Sequence, residues 1–273
     1  MNGRQKSAFI KIVYGYYEKH GRHDLPWRRT KDPYKIAVSE VMLQQTQAGR
    51  VVEKYKEFLK AFPTVQDLSA GTLQQVLLLW SGLGYNRRAR FLQQMAQAIV
   101  NDHKGMFPKT TEELLQLPGV GRYTAGAISA FAFNQPVTMI ETNIRTVYLH
   151  HFFNDSSETV HDNAVLSLIA ETLDQQNPRQ WYWALMDYGS YLKSQGVKIH
   201  RNSTQYKKQK RFKGSVREVR GGIMKILTQK KATLAQLEKT LSFEKIRLVE
   251  ALHTLMQEQF ITKKGTYYSI DNH

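Results

Sequence analysis

Cysteine is absent from all 273 residues. That excludes disulfides, thiol nucleophiles and zinc or iron–sulfur sites ligated by cysteine. A long apolar run is also lacking, because no stretch reaches the roughly 18 residues of a membrane-spanning helix. Acidic residues are few: 23 Asp and Glu stand against 39 Lys and Arg, for a formal net charge of +16 and a pI near 9.8. A surplus this large points to a polyanionic partner, nucleic acid first. The composition is that of a globular protein, 41% hydrophobic, with length for one large or two modest domains. The opening residues, Met-Asn-Gly-Arg-Gln-Lys, lead into an amphipathic helix and not a signal sequence, so a cytoplasmic protein is expected.

The chain is organised around Leu117-Pro-Gly-Val-Gly-Arg-Tyr-Thr-Ala-Gly126. Before it, Thr111 to Gln116 reads as a short helix with acidic residues in its first turn, where the helix dipole favours them. After it, Tyr123 to Phe133 reads as a helix rich in Ala and Gly. Gly119 and Gly121 permit backbone angles closed to other residues and a close approach to a ligand. The amides of Gly121, Arg122 and Tyr123 then open a helix, and free amides there suit an anion. Two helices hinged by Gly-Val-Gly form a backbone clamp for a phosphate; an ordinary glycine turn between packed helices would carry the same sequence.

The rest of the chain reads as a succession of helices. Ser7 to His20 is amphipathic, and Leu25-Pro-Trp-Arg28 follows as a rigid loop. A helix opening at Pro33-Tyr34 runs through Ser39-Glu40-Val-Met-Leu43 and is expected to continue through Gln44-Gln-Thr-Gln47. On pattern alone, Glu40 is a helix glutamate at the core's edge facing water. Val51 to Phe62 and Leu73 to Trp80 are further helices. Gly82-Leu-Gly-Tyr85 breaks the chain before a helix led by Arg87, Arg88 and Arg90, a group that suits a nucleic-acid surface or a solvated basic face. Glu141-Thr-Asn143 precedes the helix Ile144 to Phe152 and on the plain reading is its N-terminal cap. Asp162 to Leu173 and Pro178 to Leu192 complete this part, with Asp187 a buried partner for a helix end or an arginine. A basic linker is expected from Lys193 to Lys213. Three helices and a hairpin around Lys264-Gly265 then make a winged-helix-like module.

These motifs resemble the helix-hairpin-helix (HhH-GPD) DNA glycosylase superfamily, most nearly its A/G-mismatch-specific adenine glycosylases (MutY-like). The resemblance covers about Ser7 to Leu192 and rests on Leu25-Pro-Trp-Arg, Ser39-Glu-Val-Met-Leu-Gln-Gln-Thr-Gln47, Gly82-Leu-Gly-Tyr85 and Leu117-Pro-Gly-Val-Gly121, in family order. It implies a mainly α, two-lobed helical domain over residues 1–192, followed by the linker 193–213 and the module 214–273. It implies double-stranded DNA with a mismatched or damaged base as partner, and a monomer. The target base would be flipped out of the stack to reach its glycosidic bond. Glu40 falls on the catalytic glutamate, the general acid that protonates the leaving adenine. Glu141 stands for the second carboxylate, which stabilises the cationic sugar, with Tyr123 and Asn143 beside it. Trp27, Arg28 and Leu43 match the base pocket. Gln44, Gln45, Tyr85 and Arg87 match DNA contacts, the first and third entering the base stack. Gly119, Val120, Gly121, Arg122 and Tyr123 match the phosphate-holding hairpin, whose carbonyls at Leu115, Leu117 and Val120 can hold a sodium or potassium ion.

The resemblance also marks departures. Tyr123 replaces the lysine of strand-nicking glycosylases, which removes the Schiff base and implies a monofunctional enzyme. Glu141-Thr-Asn143 replaces an aspartate followed by Gly-Asn. No iron–sulfur cluster can form where Ser194, Gln195, His200 and Ser203 stand instead of cysteines. The winged-helix-like module stands where the family carries a sensor of oxidised guanine. Three functions follow: release of adenine opposite guanine or oxidised guanine, release of thymine, uracil or another damaged base, and lesion binding without catalysis.

Overall fold

A computed structural model describes residues 2–154, 159–197 and 213–271. In the first half run α1 (Gly3–His20), α2 (Pro33–Leu43), α3 (Ala48–Ala61), α4 (Val65–Ala70), α5 (Leu73–Trp80), α6 (Arg87–Asp102) and α7 (Thr111–Leu114). Then come α8 (Arg122–Phe133), α9 (Thr142–Phe152), α10 (Asp162–Thr172), α11 (Pro178–Ser194) and α12 (Val216–Leu227). The end comprises β1 (Ala232–Thr233), α13 (Leu234–Leu241), α14 (Lys245–Gln257), β2 (Ile261–Lys264) and β3 (Tyr267–Ile270). The chain is mainly α, as its periodicity predicts. It forms two compact units, Met1–Glu40 with Phe107–Lys207 and Val41–Met106 with Lys208–His273. The division falls inside α2, directly after Glu40.

In the first unit, α11 packs on α9 and α1, and α7 pairs with α8. Phe9 of α1 meets Tyr148 and Trp181 with ring centroids 5.2 and 5.9 Å apart, joining three helices in one aromatic core. Helix α8 is buried from Thr124 through Ala132. Its small residues are a packing requirement: a side chain at Gly126 would fall 2.9 Å from Met139 Cβ. Asp187 is the buried partner the sequence suggests. It accepts from Arg28 Nη1 and Nη2 at 2.6 and 2.8 Å, from Arg22 Nε at 2.7 Å and from the Arg22 amide at 2.8 Å. Burial alone would push this carboxyl up, but the bonds and charge of the two arginines hold it below the usual carboxylate range.

In the second unit, α6 packs on α4 and α5, and α3 on α5. The same unit holds α12, α13 and α14 and a three-stranded antiparallel sheet of order β1-β3-β2. The expected hairpin is β2 with β3, turning at Gly265 with φ +61°. Strand β1 was not legible, because two residues are too short to show a period. The terminal helices are bonded to α5 and α6. Gln74 Nε2 donates to Thr228 O at 3.1 Å, and Arg90 donates to Glu258 O and Gln259 Oε1. Helix α4 also escaped the sequence reading, although Thr64 and Asp67 form a capping box at its start.

One expectation about α2 is corrected. The helix does not continue through Gln47; it stops at Leu43, and Gln45 turns left-handed with φ +54°. The cause lies in α6. Arg88 Nη1 donates to the carbonyls of Val41, Met42 and Gln44, taking up the acceptors at the helix end. Arg88 Nη2 donates to Leu83 O and Gly84 O at 3.2 and 3.1 Å, and its guanidinium lies over the Trp80 and Tyr85 rings. This arginine is half-buried and fastens two turns together. Arg90 is similarly engaged over the Phe260 ring.

Candidate active site

Glu40 is 5% exposed and lies in a run buried without break from Ile36 to Met42. A helix buried on every side offers no edge, so the water-facing position expected from pattern is wrong. Burial lifts the Glu40 carboxyl to about 7; the Tyr123 hydrogen bond pulls it down and the nearby charge of Glu141 pushes it up. Tyr123, in the first turn of α8, donates its hydroxyl to Glu40 Oε2 at 2.6 Å. Burial and the charges of Glu40 and Glu141 hold the Tyr123 phenol well above its ordinary value, so it stays a donor at neutral pH.

Glu141 is the N-cap of α9, as the plain reading of Glu-Thr-Asn has it. Its Oε1 accepts from the Asn143 and Ile144 amides at 2.7 and 2.8 Å, while Oε2 receives Asn143 Nδ2 at 3.3 Å. The longer glutamate side chain folds back onto the helix start, where the dipole favours negative charge. Thus Glu40, Tyr123, Glu141 and Asn143 come together in the first unit. Lys193 was missed. Read as the start of a basic linker, it sits in the last turn of α11 and donates Nζ to Asn143 Oδ1 at 2.8 Å. Its spacing of four from Gly189 was the available signal. The linker cations Lys198 through Arg211 lie outside the described residues, as do His200 and Ser203, while Lys213 is exposed.

The residues matched to a base pocket divide. Trp27 is buried in a short 3-10 turn, Pro26–Arg28. Arg28 has a side chain only 4% exposed and is held by Asp187. Leu43 ends α2 in the second unit. The residues matched to DNA contacts outside the hairpin also belong there. Gln44 is half-buried, while Gln45, Tyr85 and Arg87 are exposed. Gln45 and Tyr85 both have positive φ, +54° and +51°, a conformation costing non-glycine residues about 1 kcal/mol or more. Arg88 holds both turns in place. In the hairpin, Gly119 takes φ +72° while Gly121 is extended at φ −92° as the N-cap of α8 with no side-chain cap. A side chain at Gly121 would meet nothing within 4 Å, so the protein's own packing leaves that approach open. Arg122 is exposed beside it, Val120 is buried, and the Leu117 carbonyl receives the Val120 amide at 3.1 Å.

The family profile described as "HhH-GPD superfamily base excision DNA repair protein" matches residues 38–167, a span that opens beside Glu40 and includes the hairpin and Glu141. Residues 38–167 are thus an HhH-GPD domain. An adenine DNA glycosylase of Buchnera aphidicola subsp. Baizongia pistaciae is 36% identical over 68% of this chain and 53% of its own length. The human adenine DNA glycosylase is 38% identical over 67% of this chain and 36% of its own length. The chain thus spans between about a third and a half of these relatives. A solved thermostable thymine-DNA glycosylase is similar with a TM-score of 0.63 at 25% identity, covering 72% of this chain and 94% of that one. The cluster of cysteine-ligated iron carried by many HhH-GPD members does not fit here, since there is no thiol to ligate it. Among the described residues no group of three His, Asp or Glu could hold a metal ion, and no helix is long and apolar enough to cross a membrane.

Proposed function

We propose that this protein is a monofunctional DNA glycosylase of base excision repair that releases adenine opposite guanine or oxidised guanine. One observation carries the reading: a buried glutamate with a carboxyl near 7 shares a site with a second, amide-held glutamate, inside an HhH-GPD domain. Protonated Glu40 gives its proton to the flipped adenine. The bond from the sugar C1′ to the base then breaks with its electron pair leaving on the adenine. The carboxylate of Glu141 faces the positive charge on the sugar. Water adds at C1′, gives its proton to the Glu40 carboxylate left by the first step, and leaves an abasic site. Tyr123 orients Glu40, and no lysine stands in its place to form a Schiff base.

The hairpin Gly119 to Tyr123 holds a phosphate on its amides, and the carbonyls of Leu115, Leu117 and Val120 would hold a sodium or potassium ion whose positive charge would add to the attraction. Gln44, Gln45, Tyr85 and Arg87 contact the duplex around the flipped base, and Trp27, Arg28 and Leu43 wall the pocket. The glycosylase domain expected over residues 1–192 runs on to the end of α11 at Ser194, a linker follows to residue 213, and 214–273 is a winged-helix-like module; the protein acts in the cytoplasm as a monomer. A second reading, release of thymine or uracil from mismatches, rests on the likeness to the thymine-DNA glycosylase and on Tyr123. A panel of single-lesion duplexes assayed with alkali decides: abasic product from adenine opposite guanine or oxidised guanine is expected. Product only from G·T or G·U duplexes selects the second reading. Tight lesion binding with no product, unchanged in Glu40→Gln, would leave a non-catalytic damage binder.

A further inference from the structure

We infer that Lys193 is a positioning residue for the second carboxylate, acting through Asn143. This inference rests on the glycosylase reading above. The amide of Asn143 has two ends, and only one serves Glu141. Its Nδ2 points to Glu141 Oε2 at 3.3 Å, while its Oδ1 accepts from Lys193 Nζ at 2.8 Å. Turning the amide over would set its NH2 group against an ammonium and its oxygen against a carboxylate, two repulsive contacts in place of two bonds. Lys193 therefore fixes which way Asn143 faces. Asn143 in turn grips both oxygens of Glu141, one through its side chain and one through its backbone amide at 2.7 Å.

The packing of α11 on α9 is built for this contact. A side chain at Gly189 would fall 2.2 Å from Asn143 O and 2.9 Å from its Cβ, so the helix runs against the start of α9 where only glycine fits. Lys193 follows four residues later on the same face, one turn along. The competing cation nearby is already engaged: Arg145 gives Nε and Nη2 to Asp162 at 2.8 and 2.7 Å. Burial draws the Lys193 ammonium down from its ordinary value while the charge of Glu141 supports it, as suits a lysine turned inward. A linker lysine serving DNA phosphates would have no cause to reach Asn143.

The test uses the full chain with Lys193→Met and Lys193→Arg. Single-turnover excision of adenine is measured with enzyme saturating, and duplex affinity is measured separately in a Glu40→Gln background. Lys193→Met is expected to slow excision by roughly tenfold to a hundredfold at unchanged affinity, the scale of a small misplacement at a reacting centre. Lys193→Arg restores part of the rate. Loss of affinity with the rate intact would make Lys193 a phosphate contact and overturn the inference. So would no change in either quantity. A second readout is independent of activity: the side-chain amide signal of Asn143 in a nitrogen-15 spectrum should shift and exchange faster in Lys193→Met. If the wild-type protein releases no base while that signal still responds, the positioning stands and the glycosylase reading falls. If the wild type is active and neither signal nor rate responds, the positioning alone falls.

Discussion

The middle of α2 and the start of α9 each carry a glutamate, and the protein treats the two in opposite ways. Glu40 lies in a run of α2 buried from Ile36 to Met42, with the Tyr123 phenol as its hydrogen-bond partner. Glu141 sits where a helix begins and is surrounded by donors: two backbone amides and the Asn143 side chain. The first setting raises the cost of charge, and the second is a place where charge is welcome. On the function proposed above, two copies of one side chain divide into a proton donor and a carboxylate. The difference teaches that backbone placement, rather than residue identity, assigns the chemical roles.

The largest effects should come from erasing one side of that contrast. Glu40→Gln keeps an acceptor for Tyr123 but has no proton to give, so adenine release is expected to drop by roughly 10²- to 10⁴-fold in single-turnover assays. The same variant should gain stability. The folded carboxyl titrates near 7 against 4.5 when unexposed to these neighbours, so the folded state binds the extra proton between those values. Stability therefore falls as the pH rises through that window, and Glu40→Gln removes the slope. Urea unfolding at pH 8 should show a gain of at most about 3 kcal/mol. A variant less stable than wild type at that pH would break the contrast.

Asp187→Ala provides a third carboxylate for scale. It strips Arg28 and Arg22 of their shared partner, and a cost of about 3–5 kcal/mol is expected in the same unfolding experiment. Glu141→Ala removes the cap of α9 and should cost about 1 kcal/mol of stability, along with excision of adenine. A loss of stability without a loss of excision would make Glu141 a cap only. Tyr123→Phe takes away the hydrogen bond that holds Glu40 down, so its acid should persist to higher pH and the alkaline limb of the excision profile should move up. Gly121→Ala should change stability least, by less than about 1 kcal/mol, because φ is already negative and no atom lies in the way. Its effect should appear as weaker binding to duplex DNA. Unchanged affinity would argue against a phosphate at that turn.

Much of this is legible in the sequence. The helices announced themselves by period, and Leu117 to Gly121 by its glycines. Asp187 stood out as an acid among aromatics, and Glu141 as a cap. Other features were hidden for definite reasons. The burial of Glu40 depends on neighbours distant in sequence, such as Tyr123 of α8, and a helix apolar on every side gives no stripe to read. The stop of α2 at Leu43 is imposed by Arg88, more than 40 residues on, so nothing local in Gln44-Gln-Thr-Gln47 marks it. Arg87, Arg88 and Arg90 look alike in sequence, yet one is exposed, one caps a helix end and one is bonded beside Phe260. Lys193 was hidden by its company, a run of cations that reads as a linker.

The pH profile of adenine release under single-turnover conditions bears most directly on whether Glu40 is the proton donor. The rate should hold on the acid side and fall about tenfold per unit as the pH climbs past about 7. Glu40→Gln should lack that limb together with the activity. A wild-type rate that stays level or rises to pH 9 would contradict the account.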